Sequence, residues 1–326
     1  MISRNRFRYG WLIALAVIML IILVVWFGPM FALSRSSQSK PASDYADAIK
    51  RVEQLQARET AQFNPLCRTQ LMTHGQKVER VIVFVHGNAT CPQQFRDLGK
   101  IYFDQGYNVL IGRQPHHGLA DRMTPDLENL TAEEMAGFVD ELVDIAPALG
   151  NHVTLAGISA GGVIVAWAAQ HRAEVQQAVI MSPGFGFVAI PTVLTKPAMN
   201  VTLLLPNSFN WWDETLKEKI GPPHAYPRYS THALAQILRL GFATQDAARQ
   251  FKPAARSIVV ITNANDTSVK NALTAAVVEV WRAQGVDIRT FEFEAALKLG
   301  HDFIDPAQPD QRVDIVYPRL VKLIQP

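Results

Sequence analysis

The sequence predicts an α/β fold built on a mostly parallel central sheet covered by helices on both faces. Two observations carry this. Short, uninterrupted apolar runs such as Val81-Ile82-Val83-Phe84-Val85 alternate along the chain with amphipathic stretches of helical spacing. Strands buried on both faces read in this way, and the alternation is that of strand–helix–strand units. In addition, Gly157-Ile158-Ser159-Ala160-Gly161 lies between a β-branched, apolar run (His152 to Ala156) and a helix-like run (Gly162 to Arg172). A G-x-S-x-G in that setting is a tight strand-to-helix turn that lifts the serine hydroxyl off the sheet edge. The 326 residues, 48% hydrophobic and 18% charged, supply ample core for one large domain.

Taken in order, the elements begin with an apolar segment. Arg4, Arg6 and Arg8 make a basic N-terminus over residues 1–8, followed by an uncharged run from Tyr9 to Leu33. As a helix that run is about 37 Å long, against a hydrocarbon core near 30 Å. It exceeds the apolar centre of a signal peptide and is followed by no small-x-small cleavage site, so a transmembrane anchor over 9–33 is expected, with a cleaved secretory signal as the alternative. The three arginines ahead of it, against Arg35 and Lys40 behind, favour an orientation with the N-terminus in the cytoplasm and the following domain outside, and that orientation is expected. Residues 34–43, rich in serine, read as an exposed linker. The domain then occupies 44–326.

Tyr45, Ile49, Val52 and Leu55 give a helix from Asp44 to about Gln62, and Arg68 to Met72 a short strand. Strand Val81–Val85, a helix from Cys91 to Gln105, and strand Tyr107–Ile111 follow. The Thr131-Ala-Glu-Glu134 start of the next helix, running to Leu149, has the pattern of a capping box. The Ser159 turn, strand Ala178–Met181, strand Ser257–Thr262, helix Val269–Gln284 and strand Ile288–Phe293 complete the rhythm. Residues 184–255 interrupt it. Rich in Pro, Asn and aromatics, they are too long for an ordinary connection and are expected to fold as a cap over the strand ends, where open α/β sheets bind ligands.

A serine hydroxyl needs a base within reach and a third group to orient that base. Asp266 follows strand Ser257–Thr262, and His301 follows strand Ile288–Phe293, so both should emerge at the sheet edge that carries Ser159, in the chain order Ser…Asp…His. Asp266 could instead only cap the following helix, and Asp302 is the rival acid. The backbone N–H of Ala160 and, from the loop His86-Gly87-Asn88-Ala89, that of Asn88 are the expected oxyanion donors. His116-His117 lack ligand spacing, and no metal site is expected. Lys and Arg number 31 against 29 acidic residues, with no basic patch interleaved with aromatics, so nucleic-acid binding has no support. Cys67 and Cys91 are either a disulfide, which suits an exported domain, or two buried thiols.

From about Arg80 to Val321 the chain resembles the α/β-hydrolase fold superfamily, in particular its bacterial carboxylesterase and monoacylglycerol-lipase-like members. The matching motifs are Val85-His86-Gly87, Gly157-Ile-Ser159-Ala-Gly161-Gly162, the Asp266 turn and Gly300-His301. The resemblance implies a serine triad, a cap and no cofactor. Arg113-Gln-Pro-His-His117-Gly118 is similar to the family's D-x-R-G-H-G loop, with Arg113 where Asp is usual and Pro115 where Arg is usual. The expected activity is a membrane-anchored serine hydrolase acting on small-molecule or lipid-like carboxylic esters. A peptidase or thioesterase on the same triad, or a non-catalytic binding protein on this fold, are the alternatives. The aliphatic stretch Val201–Leu205 with Trp211 and Trp212 either buries an acyl chain or packs the cap onto the domain.

Overall fold

The computed structural model describes residues 3–28 and 31–325, without the side chains of residues 3–8 and Phe27. The side chains of the arginines of the expected basic N-terminus, and residues Pro29 and Met30 of the expected span, therefore lie outside what is described. Helix α1 (Ser3–Phe27) contains Tyr9–Trp26, a stretch long and apolar enough to cross a membrane. It closes with the Gly28 N–H on the Val24 carbonyl (2.8 Å), short of the expected Leu33. Helix α2 (Tyr45–Ala57) starts at Asp44, whose carboxylate accepts the Asp47 N–H.

The sheet is assembled from β1 (Gln70–Met72), β2 (Val78–Val85), helix α3 (Arg96–Asp104), β3 (Asn108–Gly112), helix α4 (Ala132–Leu149), β4 (Gly150–Ile158), helix α5 (Ala160–His171) and β5 (Gln177–Met181). Helix α6 (Thr195–Leu204), the hairpin β6 (Phe209–Trp211) and β7 (Arg228–Ser230), and helix α7 (Thr231–Gln250) come next. Strand β8 (Ser257–Asn263), helix α8 (Asn271–Ala283), β9 (Asp287–Phe293) and helix α9 (Val313–Ile324) complete the chain. Seven strands lie in the order β1-β3-β2-β4-β5-β8-β9, all parallel except β1, which pairs antiparallel with β3 at the edge.

Successive side chains of a strand point to opposite faces, so each buried strand feeds two cores. Val81, Val83 and Val85 of β2, with Val153 and Leu155 of β4, meet α2, α4, α5, α7 and α8 on one face. Ile82 and Phe84, with Ala156 and Ile158, meet α3 and α9 on the other. The capping box at α4 forms as its sequence implies: Thr131 accepts the Glu134 N–H, and the Glu134 carboxylate accepts the Thr131 N–H. Helix α9 was not anticipated, although Val316, Tyr317, Leu320 and Ile324 fall at helical spacing; Pro318 within the run masks it.

Residues 184–255 divide into two parts. The first holds α6 and the β6–β7 hairpin, in which the Arg228 guanidinium lies over the rings of Phe209 (5.0 Å) and Trp211 (5.6 Å). Arg122 gathers the Ala225, Ile220 and Pro222 carbonyls, fixing the long loop that joins β6 to β7 to the domain. The second part is α7, capped by Ser230 and packed on α5 as a member of the helix layer. Of the Val201–Leu205 aliphatics only Leu203 packs toward Met199, Ala235 and Leu238; Val201, Leu204 and Leu205 remain exposed.

Residues 34–43 do not hang free. The Ser34 hydroxyl bonds Glu133 (3.0 Å), Ser37 bonds Asp140 (2.5 Å), the Lys40 N–H bonds the Asp144 carboxylate (2.9 Å), and the Ala42 N–H bonds the Asp144 carbonyl (2.7 Å). The composition of this stretch suits a linker, but its hydroxyls and N–H groups find carboxylates on one face of α4.

Candidate active site

The register of β2 against β4, with Phe84 beside Ala156 and Val85 beside Gly157, brings the loop after β2 next to the turn after β4. That turn is tight. A side chain at Gly161 would run into the Val85 carbonyl, and one at Gly162 would come within 2.9 Å of the Met181 carbonyl. Ser159 itself has φ 81 and ψ −106, a backbone conformation costly for a residue with a Cβ. Its N–H bonds the Met181 carbonyl (3.0 Å), and its carbonyl accepts from Gly184 (3.1 Å) and Val163 (3.1 Å). The sheet edge and α5 together hold the strained residue, leaving its hydroxyl at the N-terminus of α5.

The structure brings Asp266 and His301 to that hydroxyl. His301 Nε2 is 2.8 Å from Ser159 Oγ, and His301 Nδ1 is 2.8 Å from Asp266 Oδ2. The Asp266 side chain is fully buried, and that of His301 is 21% exposed. Asp266 also performs the capping-type role that its sequence context suggested: Oδ1 accepts the N–H groups of Ser268 (2.9 Å) and Val269 (3.0 Å) while Oδ2 faces the imidazole. Burial alone would raise its pKa. The hydrogen bond and charge of His301, with the two N–H donors, outweigh burial and hold the carboxyl below the usual range, so it stays an acceptor. Asp302, the rival, points elsewhere. It accepts from Gln308 (2.9 Å) and from the N–H groups of Ile304 and Asp305, and burial next to Asp305 raises its pKa.

Two loops meet here because asparagine side chains tie them. Asn263, the last residue of β8, donates to the Leu299 (2.9 Å) and Gly300 (3.0 Å) carbonyls, and Asn265 adds a third bond to Leu299 (3.1 Å). These bonds place the His301 loop beside the Asp266 turn. The sequence reading passed over Asn263; its signal was a buried-strand terminus ending in a polar residue three before the acid. The start of the cap is fastened to the same turn, with Val188 N–H on Ser268 O and Lys270 N–H on Gly186 O, both 2.9 Å.

The loop after β2 lies close to the nucleophile, a Cβ built on Gly87 falling 3.6 Å from the Ser159 Cβ. The Gly87 N–H is taken by Gln94 Oε1 (2.8 Å). No acceptor among the described residues engages the Asn88 N–H, and Ala160, first residue of α5, lacks an intrahelical partner for its own. Both residues named as oxyanion donors thus present unspent backbone donors beside Ser159. Beneath the loop, His86 is buried and its pKa is driven well below the ordinary value by loss of solvation, so the ring is neutral. Its Nε2 accepts the Gln114 N–H (3.1 Å), and the Gln114 side chain returns to the His86 carbonyl. Burial likewise pushes His117 down to about 4.

Arg113, which departs from the similar family loop, bonds Glu59 through Nε (3.1 Å) and lies 4.0 Å over the Phe63 ring. The charge reversal at this position is therefore matched by a carboxylate from the segment after α2. Cys67 and Cys91 are joined across a separation of 24 residues. The bond fastens the turn before β1 to the residue that ends the Asn88 loop. A loop of that length contributes about 3 kcal/mol by constraining the unfolded chain. Cys91→Ser is expected to lower unfolding stability by about that amount, and thiol titration of unfolded, unreduced protein should find no free cysteine. Two titratable thiols would show that the bridge does not form in the cell.

Among the described residues no group of three or more His, Cys, Asp or Glu side chains is arranged to hold a metal ion. Comparisons with known proteins agree with the geometry. A model described as the alpha/beta hydrolase family matches residues 82–315. A thermostable monoacylglycerol lipase from a Bacillus species is 24% identical over 159 residues, covering 49% of this chain and 60% of that protein. The match thus spans less than two thirds of this relative. Among solved structures, one from a study of two metagenome-derived lipolytic enzymes superposes with a TM-score of 0.61 at 17% identity, covering 81% of this chain and 99% of the other. The monoacylglycerol lipase of Paleococcus ferrophilus gives a TM-score of 0.58 at 17% identity, over 78% and 97% of the two chains. A soluble variant of the Saccharomyces cerevisiae monoglyceride lipase, bound to a substrate analogue, gives 0.58 at 14% identity, over 79% and 91%. At these identities the structural likeness establishes a shared fold.

Proposed function

The chain belongs to the alpha/beta hydrolase family, and on that premise we propose that it is a membrane-anchored serine hydrolase that cleaves carboxylic esters through an acyl-enzyme on Ser159. One observation carries the reading: the unbroken relay from Asp266 through His301 to Ser159, with both hydrogen bonds at 2.8 Å. The lipases and monoacylglycerol lipases among its relatives favour an ester, and a lipid-like one, over an amide.

In this mechanism Ser159 Oγ adds to the ester carbonyl carbon while His301 Nε2 takes its proton. Asp266, ionised and doubly held by backbone N–H groups, fixes the imidazole with its Nδ1–H toward the carboxylate and stabilises the imidazolium that forms. The carbonyl oxygen gains the negative charge and is met by the Asn88 and Ala160 N–H groups at the positive end of α5. Collapse of the adduct breaks the C–O bond, and His301 returns the proton to the leaving alcohol. Water, deprotonated by the same imidazole, then releases the acid and restores Ser159. No cofactor enters these steps. The apolar Tyr9–Trp26 stretch supports retention in a membrane, and the arginines before it favour a cytoplasmic N-terminus with the hydrolase domain on the other side.

The test sets p-nitrophenyl esters of graded chain length against matched thioesters and aminoacyl amides, with a fluorophosphonate probe reporting the nucleophile. Turnover confined to esters, with one probe-labelled site, is the expected result. Preferred cleavage of amides or thioesters would move the substrate class, and absence of labelling would reduce the chain to a binding protein on a hydrolase fold.

A further inference from the structure

The anchor and the cap touch. Helix α1 meets α6 at its C-terminal end, where buried Asn200 donates from Nδ2 to the Val25 carbonyl (2.8 Å). Val25 lies two residues before the end of α1, about 3 Å along the helix axis. Helix α6 therefore crosses the apolar helix at the level where a spanning segment leaves the hydrocarbon. There α6 and the residues flanking it expose large aliphatic side chains: Leu204 is 58% and Leu205, just past the helix, 57% exposed, Val201 is exposed as well, and Val193, just ahead of α6, is 77% exposed. Val201 and Leu204, three apart on the helix, with Leu205 next to them, form one exposed apolar face, and a surface of this kind marks an interaction site.

The segment after α1 fixes the arrangement. Arg239 of α7 donates to the Phe31 (2.7 Å) and Ala32 (2.9 Å) carbonyls while its guanidinium pairs with Glu133. Further along, Arg172 is buried at the end of α5 and binds Asp140 (2.8 Å), Asp144 (2.5 Å) and Glu174 (2.9 Å). Those three carboxylates also receive Ser37, Lys40 N–H and Ser39 of the connecting segment. One internal cation thus organises the acceptors on which the segment is latched. These bonds fasten the connecting segment to the domain, and the Asn200–Val25 bond ties α6 to α1 itself; together they are the contacts that would hold one face of the domain toward a bilayer.

We infer that this face is the outer surface of α6, and that Val193, Val201, Leu204 and Leu205 sit in the bilayer interface among lipid headgroups and the first acyl carbons. The inference rests on the reading of α1 as a membrane span. The occupant is lipid because the patch is continuous with the apolar helix that leads into it, at the depth where water gives way to hydrocarbon. The segment leading to α6 starts at Gly184, whose N–H bonds the Ser159 carbonyl, so α6 is tied along the chain to the nucleophile turn.

The test uses the full-length chain, in which Cys67 and Cys91 are bonded to each other, carrying single cysteines for an environment-sensitive fluorophore. Leu204→Cys probes the α6 face, Leu20→Cys the span, and Lys100→Cys, on α3 at the opposite face of the sheet, the control. In phosphatidylcholine–phosphatidylglycerol vesicles containing doxyl-labelled lipid, emission at positions 204 and 20 is expected to fall at least two-fold, with position 100 unchanged. Quenching at 20 without quenching at 204 would overturn the docking surface and leave the anchor standing. Quenching at neither would remove the anchor and the surface together. Energy transfer between labelled copies at 204, without lipid quenching, would give the face to a second copy of the chain and overturn the assignment to lipid.

Discussion

Replacing Ser159 by alanine is expected to lower esterase activity by about five to six orders of magnitude, to abolish fluorophosphonate labelling, and to leave the fold unchanged. The loss is large because the proposed mechanism forms its covalent intermediate on this hydroxyl, which lies 2.8 Å from the His301 imidazole, at the end of a strand and the start of a helix. The fold is spared because the side chain makes a single hydrogen bond, while the contacts that hold the turn belong to its backbone. Alanine keeps the Cβ and therefore keeps the strain of φ 81. Glycine does not, so Ser159→Gly should be inactive yet more stable than Ser159→Ala, by about 1 kcal/mol. Melting temperatures of the two variants read this difference directly. An alanine variant keeping more than about 1% of activity, against the losses typical of nucleophile removal, would show that another residue is attacked.

That strain also explains why the centre of the site was legible in the sequence and its surroundings were not. A serine between two glycines at a strand-to-helix junction can be read locally, because the glycines answer to close approach: Gly161 to the Val85 carbonyl and Gly162 to that of Met181. Asp266 and His301 were legible for a related reason. A parallel sheet delivers the ends of all its strands to one edge, so a polar residue just past a strand has a known address. The elements that hold these residues carry no such signature. Gln94 takes the Gly87 N–H, Asn263 gathers the Leu299 and Gly300 carbonyls, and Glu59 answers Arg113 across more than fifty positions of sequence. The first joins residues seven apart and the others residues more than thirty apart, and neither periodicity nor composition reports such side-chain pairings.

The segment after the anchor shows the same limit. Its serines read as solvated linker, and the carboxylates that bind them lie on α4 and just past α5, brought together by buried Arg172. Helix α7 was missed within the insertion for a different reason. Ser230 caps it and Ala233, Ile237, Leu240 and Ala248 line its buried side, a pattern that local reading supports. The surrounding density of Pro, Asn and aromatic residues led to one irregular cap, whereas the insertion ends in a regular helix belonging to the layer on the sheet.

His301 and Asp266 are expected to act with Ser159 as one unit, which a mutant cycle measures. His301→Ala should cost about as much as Ser159→Ala, roughly five to six orders of magnitude, and the double variant should be little worse than either single one. Additive losses would mean that the two residues act separately. Asp266→Asn is expected to cost about four orders of magnitude while leaving the fold intact. The amide retains an oxygen to accept from the N–H groups of Ser268 and Val269, which donate to Oδ1 in the wild type, so the turn should survive. Its nitrogen, however, would face His301 Nδ1 as a donor and leave the proton on Nε2, so that the imidazole could no longer accept from Ser159. Because the carboxyl is held below the ordinary range, the wild-type enzyme should keep this orientation well into mild acid. The companion variant Asp302→Asn separates the roles. Its carboxylate contacts Gln308 and the Ile304 and Asp305 N–H groups rather than the imidazole, so its loss should register in stability with activity reduced less than ten-fold. A crippled Asp302→Asn beside a mild Asp266→Asn would reassign the acid.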